Sequence, residues 1–253
     1  MRGLKGKRAV VTGGGSGIGR EICKRFGAEG TDVQVFDINA SGAAETARMI
    51  NEAGGTATAH TVDITNRASV DAAIAEVEKA GPIDILVNNA GWDEIRLFLD
   101  TDIPLWDKII AINLYGPLHM HHAVLPGMVQ NGSGRVINIS SDAGRVGSSG
   151  EAVYSACKGG IIAFTKTMAR ELARKNVLLN AVAPGPTDTP LFAEVAKGEA
   201  GAKIAEGLKR AIPLRRLAHP SDYPGIICFL ASEDCSFITG QVISVSGGLS
   251  MHG

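Results

Sequence analysis

Tyr154 and Lys158, four residues apart in YSACK, are the pair in this chain best suited to do chemistry. At helical spacing they share one face, and a phenol beside an ammonium suits acid–base work. Tyrosine ordinarily titrates near pH ~10, and a neighbouring positive charge favours the phenolate, bringing proton transfer toward neutral pH. A group so positioned typically contributes about 10² to 10⁴ in rate. The same spacing also occurs on helix surfaces, where the lysine is only a cation beside an exposed ring. Upstream, the apolar run RVINIS ends in Ser140 and Ser141. Ser141 is placed either to hold a substrate oxygen or, as hydroxyls often do, to cap a turn.

A second chemical signal is TGGGSGIG, Thr12 to Gly19, between an apolar run and a helical segment. A glycine-rich turn lets backbone N–H groups approach a pyrophosphate while the helix N-terminus adds partial positive charge. Gly13, Gly17 and Gly19 give GxxxGxG, looser than the GxGxxG dinucleotide fingerprint, and a tight strand-to-helix turn would also read this way. The second apolar run closes with Asp37, where dinucleotide folds place the acceptor for the adenosine ribose. A 2′-phosphate there would be repelled by several kcal/mol, at roughly 4 kcal/mol per unit-charge pair at 4 Å and a dielectric near 20. Ile38 and Asn39 add no cation, so the expected cofactor is NAD rather than NADP. The alternative for Asp37 is a turn-former in DIN.

The elements that must position these groups follow a βαβ rhythm. Strands are expected at RAVVTG, DVQVFD, ATAHTV, IDILVNN, RVINIS, VLLNAVAP and QVISVS. Helices are expected over 17–28, 41–53, 67–80, 104–130, 152–173 and 221–230. This predicts an α/β chain with a doubly wound, Rossmann-type parallel sheet of about seven strands and helices on both faces. With no linker or repeat, residues 1–253 read as a single domain, within which 187–213 departs from the rhythm and suits a substrate lid.

Lysine and arginine (25) balance aspartate and glutamate (26), so no single-sign field invites nucleic acid or an anionic membrane. The charged start MRGLKGKRAV leads straight into a strand, and no apolar stretch reaches membrane-spanning length, which predicts a cytoplasmic protein. Cys23, Cys157, Cys228 and Cys235 lack CxxC spacing and read as reduced core thiols.

Taken in order, TGGGSGIG, NNAG (Asn88 to Gly91), Asn113, Ser141, YSACK and PGPTDT resemble the short-chain dehydrogenase/reductase family over essentially the whole chain. The resemblance implies hydride transfer between NAD and a secondary alcohol or its ketone. It further implies a catalytic tetrad of Asn113, Ser141, Tyr154 and Lys158. In that tetrad Tyr154 exchanges the alcohol proton, Ser141 orients the oxygen, Lys158 also binds the nicotinamide ribose, and Asn113 holds a relay water. Cofactor contacts are implied at Gly13, Gly15, Ser16, Gly17, Ile18, Gly19, Asp37 and Ile38. Asp63 and Ile64 are implied beside the adenine, and Asn89, Ala90, Gly91 and Pro184 along the cofactor, with Thr187 and Thr189 at the carboxamide. Where the family often has serine before the lysine, this chain has Cys157, which should act as a small hydrophobe. A homo-oligomer, by family habit a tetramer, is implied as well.

The segments NNAGWD, LHMHHAVLPGM, SDAGRVGSSGEAVYSACKGG and PGPTDTPL resemble the family branch that oxidises cyclic 3-hydroxyacyl-CoA thioesters, such as 2-hydroxycyclohexanecarboxyl-CoA, in aromatic compound degradation. Trp92, Leu191 and Phe192 would then line an apolar pocket. Arg145 either attracts a polar part of the substrate or is a solvated loop cation. Lys197, Lys203, Lys209, Arg210, Arg215 and Arg216 either meet CoA phosphates or form a solvated face. Branches acting on aryl or alicyclic alcohols, or reducing 3-oxoacyl carriers, share the framework. A catalytically silent subunit is the contrasting class, against which the intact tetrad argues. His119, His121 and His122 lack a carboxylate or cysteine to complete a metal shell, so no metal is expected and packing at a subunit contact is the preferred reading.

Overall fold

The computed structural model describes residues 1–189, 192 and 198–251. Among them seven strands form one sheet: β1 (Arg8–Thr12), β2 (Asp32–Asp37), β3 (Thr56–Thr61), β4 (Ile85–Asn88), β5 (Gly134–Ile139), β6 (Val177–Pro184) and β7 (Val242–Val245). Every neighbouring pair is parallel, in the order β3-β2-β1-β4-β5-β6-β7. The described helices are α1 (Gly17–Ala28), α2 (Ala40–Glu52), α3 (Arg67–Glu78), α4 (Ile103–Ile110), α5 (Gly116–Asn131), α6 (Ala143–Val146), α7 (Ala152–Leu172), α8 (Gly198–Ala211) and α9 (Pro224–Ala231). The expected Rossmann-type sheet is therefore what the chain forms. Among the described residues no helix is long and apolar enough to cross a membrane.

A parallel sheet must cover both faces, and alternation along each strand feeds two cores. Ala9, Val11, Ile85 and Val87 pack with Ile22 and Phe26 of α1, Ile50 of α2 and Ile227 of α9. Val10, Leu86 and Val136 face the other way, onto Ile74 of α3 and Met120 and Val124 of α5. Each fully buried aliphatic side chain of this kind stabilises by roughly 1.5–3 kcal/mol. In α1 the buried set Gly19, Ile22, Cys23, Phe26 and Gly27 follows steps of three, one, three and one, the inward stripe of an amphipathic helix. Asn39 and Asn66 start α2 and α3 by accepting from Gly42 N and from Ala68 N and Ser69 N.

The single helix expected over 104–130 is interrupted. A π-helical turn, Ala111–Tyr115, separates α4 from α5. Two residues account for it. Pro117 lacks the N–H that an α-helix would return to the carbonyl of Asn113, and the Asn113 side chain donates to Ile109 O at 2.9 Å within the same run.

Strand order reverses between β1 and β4, which opens a crevice beyond their C-terminal ends. The glycine-rich turn follows β1, Asn89 to Gly91 follow β4, and Ser141 follows β5. Of 187–213, the described part holds α8 and the bridge Thr187–Ala218.

Candidate active site

The glycine-rich turn is latched to the neighbouring strand. Thr12 Oγ1 accepts from Asn89 N at 3.0 Å and Ala90 N at 3.1 Å, while Asn89 Nδ2 donates to Thr12 O and Gly13 O. Gly13 and Gly17 take left-handed φ of 65° and 51°, where a side chain is strained. A Cβ on Gly19 would lie 2.0 Å from Gly13 O, and one on Gly15 would lie 2.8 Å from Asp37 Oδ2. Ser16 is the extended N-cap of α1 and makes no side-chain cap bond, so the leading N–H groups of that helix lack the usual hydroxyl lid. Bare backbone at a helix N-terminus is the donor set a pyrophosphate requires, so these residues fit a dinucleotide.

Asp37 stands at the rim of this cradle. Its Oδ2 accepts from Gly15 N and its Oδ1 from Asn39 N, both at 2.8 Å, and exposed Ile38 beside it offers an apolar surface. Asp63 Oδ1 accepts from Thr65 N and Oγ1. Ile64 differs from a simple flanking side chain: it is buried in the second core, and its carbonyl accepts from His119 Nδ1 at 2.9 Å. What Ile64 presents at this edge is backbone.

Across the crevice, α7 brings Tyr154 and Lys158 to the end of β5. Gly144 permits the approach, since a Cβ there would lie 2.7 Å from the Lys158 carbonyl carbon, and Ser140 Oγ donates to Lys158 O at 2.9 Å. The buried Lys158 donates from Nζ to Ile139 O at 3.0 Å and lies 5.4 Å from the Tyr154 ring centroid. Ser141 Oγ accepts from Ala143 N at 3.1 Å and hydrogen-bonds the Tyr154 phenol. Ser141, Tyr154 and Lys158 are thus brought together, as their spacing predicts.

Their electrostatics correct one expectation. Burial pushes the Tyr154 phenol above its ordinary range, the charges of Glu151 and Asp93 add to the effect, and the Ser141 hydrogen bond only partly opposes it. Lys158 does not draw the phenol toward neutrality, because its ammonium is spent on Ile139 O and is itself pushed down to about 8 by burial.

The fully buried Asn113 donates to Trp92 O at 2.6 Å and Ile109 O at 2.9 Å and accepts from Trp92 N at 3.3 Å. Both amide hydrogens are committed, so its side chain holds the Trp92 loop, and a relay water would have to use its backbone carbonyl, which Pro117 leaves without an α-helical donor.

Around this centre, Trp92 and Tyr154 both pack against the cluster of Leu105, Ile109 and Cys157, with the Lys108 ammonium 3.5 Å from the Trp92 ring centroid. The Arg145 guanidinium reaches β7, donating to Val242 O at 3.2 Å and Ser244 Oγ at 3.0 Å, a structural engagement that neither expected reading included. The Thr187 hydroxyl meets Gly185 O at 2.8 Å and Tyr223 Oη at 2.5 Å, while Thr189 lies over Gly17. Pro184 O accepts from Asp142 N. Leu191 and Lys197 lie outside the described residues; Phe192 N donates to Thr189 Oγ1. Lys209 and Arg216 pair with Glu206 and Asp222.

The three histidines diverge: His119 reaches Ile64 O, buried His121 donates from Nδ1 to Pro117 O at 2.6 Å, and His122 is exposed. All four cysteines are unpaired and buried, including Cys157. Sequence reasoning passed over Asp93, Glu151 and Thr12, although NNAGWD and GEAVYSACK contain the first two. Asp93 lies in the charged run DEIR and Glu151 follows the small polar run SSG, so neither stood out in the sequence.

Comparison with known proteins gives consistent results. The family model described as short chain dehydrogenase matches residues 7–200. The chain is 36% identical over 247 residues to the 3-oxoacyl-(acyl-carrier-protein) reductase of Thermotoga maritima, covering 97% of this chain and 98% of the relative. It is 35% identical over 250 residues to subunit BbsD of a hydroxy(phenyl)methylsuccinyl-CoA dehydrogenase of Thauera aromatica, covering 98% of each. Among solved structures, an actinorhodin polyketide ketoreductase with NADPH superposes with a TM-score of 0.94 at 33% identity, covering 100% of both chains.

Proposed function

Since the chain belongs to the short-chain dehydrogenase/reductase family, we propose that it is an NAD-dependent dehydrogenase oxidising the secondary alcohol of a cyclic 3-hydroxyacyl-CoA thioester, of which 2-hydroxycyclohexanecarboxyl-CoA is the type. The coarser part of that statement needs no proposal: the chain is an oxidoreductase acting on CH–OH groups, with a fold that binds a nicotinamide cofactor. The observation that carries the reaction is the meeting of Ser141, Tyr154 and Lys158 at the end of β5, across the crevice from the glycine-rich turn.

In this reading Ser141 holds the substrate oxygen and Tyr154 removes its proton as the carbinol C–H leaves as hydride, so the alcohol loses one proton and one hydride to become a ketone. NAD, when bound, supplies the hydride acceptor. Gly13, Gly15, Ser16, Gly17, Ile18 and Gly19 bind its pyrophosphate, Asp37 its adenosine ribose, and Lys158 its second ribose. The neighbour with NADPH means that the fold alone does not choose the cofactor. The choice of NAD rests on Asp37, whose carboxylate is fixed at 2.8 Å from Gly15 N, where a 2′-phosphate would be repelled.

The thioester reading is supported by the similarity to the Thauera CoA-ester dehydrogenase subunit and by the apolar wall of Leu105, Ile109 and Trp92. A second reading, reduction of a 3-oxoacyl carrier, is favoured by the Thermotoga relative. Initial rates with NAD and with NADP on a cyclic 3-hydroxyacyl-CoA, a linear 3-hydroxyacyl-CoA and an aryl ethanol, and of NADPH oxidation on a 3-oxoacyl carrier, decide between them. The proposal expects the highest kcat/KM for the cyclic thioester with NAD. Preference for the carrier with NADPH overturns it.

A further inference from the structure

Next to Tyr154 sits a second pair of ionisable groups that the proposed reaction does not use. Asp93 lies in the loop after β4, Glu151 is the N-cap residue of α7, and the two carboxyls come close enough for each to act on the other's charge. With Tyr154 they line a cavity whose apolar wall is Phe98, Leu105 and Ile109. Both Asp93 side-chain oxygens are buried, and neither meets an N–H or O–H donor of the described protein. Two ionised carboxylates lining one cavity, one of them buried without a donor, is an arrangement opposed by both desolvation and like-charge repulsion. A single proton held between them removes both objections.

We propose that Asp93 and Glu151 share one proton and, through the charge they present to the phenol, set the pH range over which Tyr154 accepts the substrate proton. This positioning role rests on the reading of Tyr154 as the acid–base group. Burial, followed by the Glu151 charge, pushes Asp93 up to about 7, and both carboxyls act on Tyr154 in turn. The other charged or titratable groups facing the pair are accounted for. Glu94, next on the same loop, is ion-paired with Arg96. Lys108 of α4 lies over the Trp92 ring, Cys157 of α7 is pushed up by burial, and Lys158 bonds Ile139 O. Below its titration the pair carries one negative charge. Above it the shared proton passes to solvent, the charge becomes two, and ionising Tyr154 becomes harder.

The test has two independent readouts. Infrared difference spectra of wild type against Asp93→Asn and Glu151→Gln at neutral pH should show a protonated-carboxyl stretch lost in both variants. The pH profile of kcat/KM for alcohol oxidation should rise at a lower pH in each variant, by about one pH unit for removal of a unit charge several ångströms away. Near-ultraviolet circular dichroism and NADH affinity verify that each variant is folded, and if one fails this check the other carries both measurements. Superimposable profiles in a folded variant, or no carboxyl band in wild type, overturn the proposal. Absence of turnover in wild type on every substrate would remove the reading of Tyr154 instead, while the infrared band still decides whether the proton is shared.

Discussion

Tyr154 and Asp37 carry the sharpest predictions at the scale of single residues, because one touches the reacting oxygen and the other the cofactor rim. Tyr154→Phe keeps the ring and its packing against the cluster of Leu105, Ile109 and Cys157 but removes the proton carrier. Steady-state assays should show a loss of at least about 10² in kcat, with NADH affinity by fluorescence titration within about threefold of wild type. Retained turnover would take Tyr154 out of the chemistry. Asp37→Ala removes the charge that opposes a 2′-phosphate, so the ratio of kcat/KM for NAD over NADP should fall by about tenfold or more, the equivalent of ~1.4 kcal/mol. An unchanged ratio would move the selectivity elsewhere.

At the scale of elements, the close approach of the glycine-rich turn to α1 is the least forgiving feature. Gly19→Ala would drive a Cβ to 2.0 Å from Gly13 O. The backbone must give, at a cost of about 1–3 kcal/mol. We expect a lower Tm by thermal denaturation together with at least tenfold weaker NADH binding; wild-type affinity would show that the turn is not the cradle. The central strands were legible in the sequence because buried parallel strands are continuous apolar runs, the edge strand β3 (TATAHT) by its place in the βαβ rhythm, and the helix-to-strand spacing located Tyr154, Lys158 and Ser141. The π-helical turn was not legible, because Asn113 bonds to Trp92 and Ile109, contacts that periodicity does not encode. The partnership of Asp93 with Glu151 was hidden for the same reason: the two come from separate loops that only the sheet brings together.

On the scale of the whole molecule, a buried polar layer ties the sheet to the helices over it. Asn88 of β4 donates to Asn138 of β5 at 2.9 Å, Asn138 to Thr165 of α7 at 2.8 Å, and His121 of α5 lies against Asn88. Burial pushes His121 down to about 4, so the native protein holds it neutral while the unfolded chain protonates it near 6.5. The unfolded state therefore binds the extra proton between those values. Stability should fall as pH drops from 6.5 to 4, with this group contributing a slope of about 1.4 kcal/mol per pH unit. Urea unfolding across that range measures it. His121→Gln should flatten the slope, and an unaltered slope would assign the acid sensitivity to other groups.

The π-helical turn also decides which way the second half of its helical run faces. In an uninterrupted α-helix, Ile109 and Met120 would stand about three full turns apart and look in the same direction. Here Ile109 joins the cluster around Trp92 and Tyr154, while Met120 enters the core beneath β1 and β4. The wider turn resets the angular phase midway, so one continuous stretch of chain serves as wall to the reaction cleft at its start and as foundation to the sheet at its end.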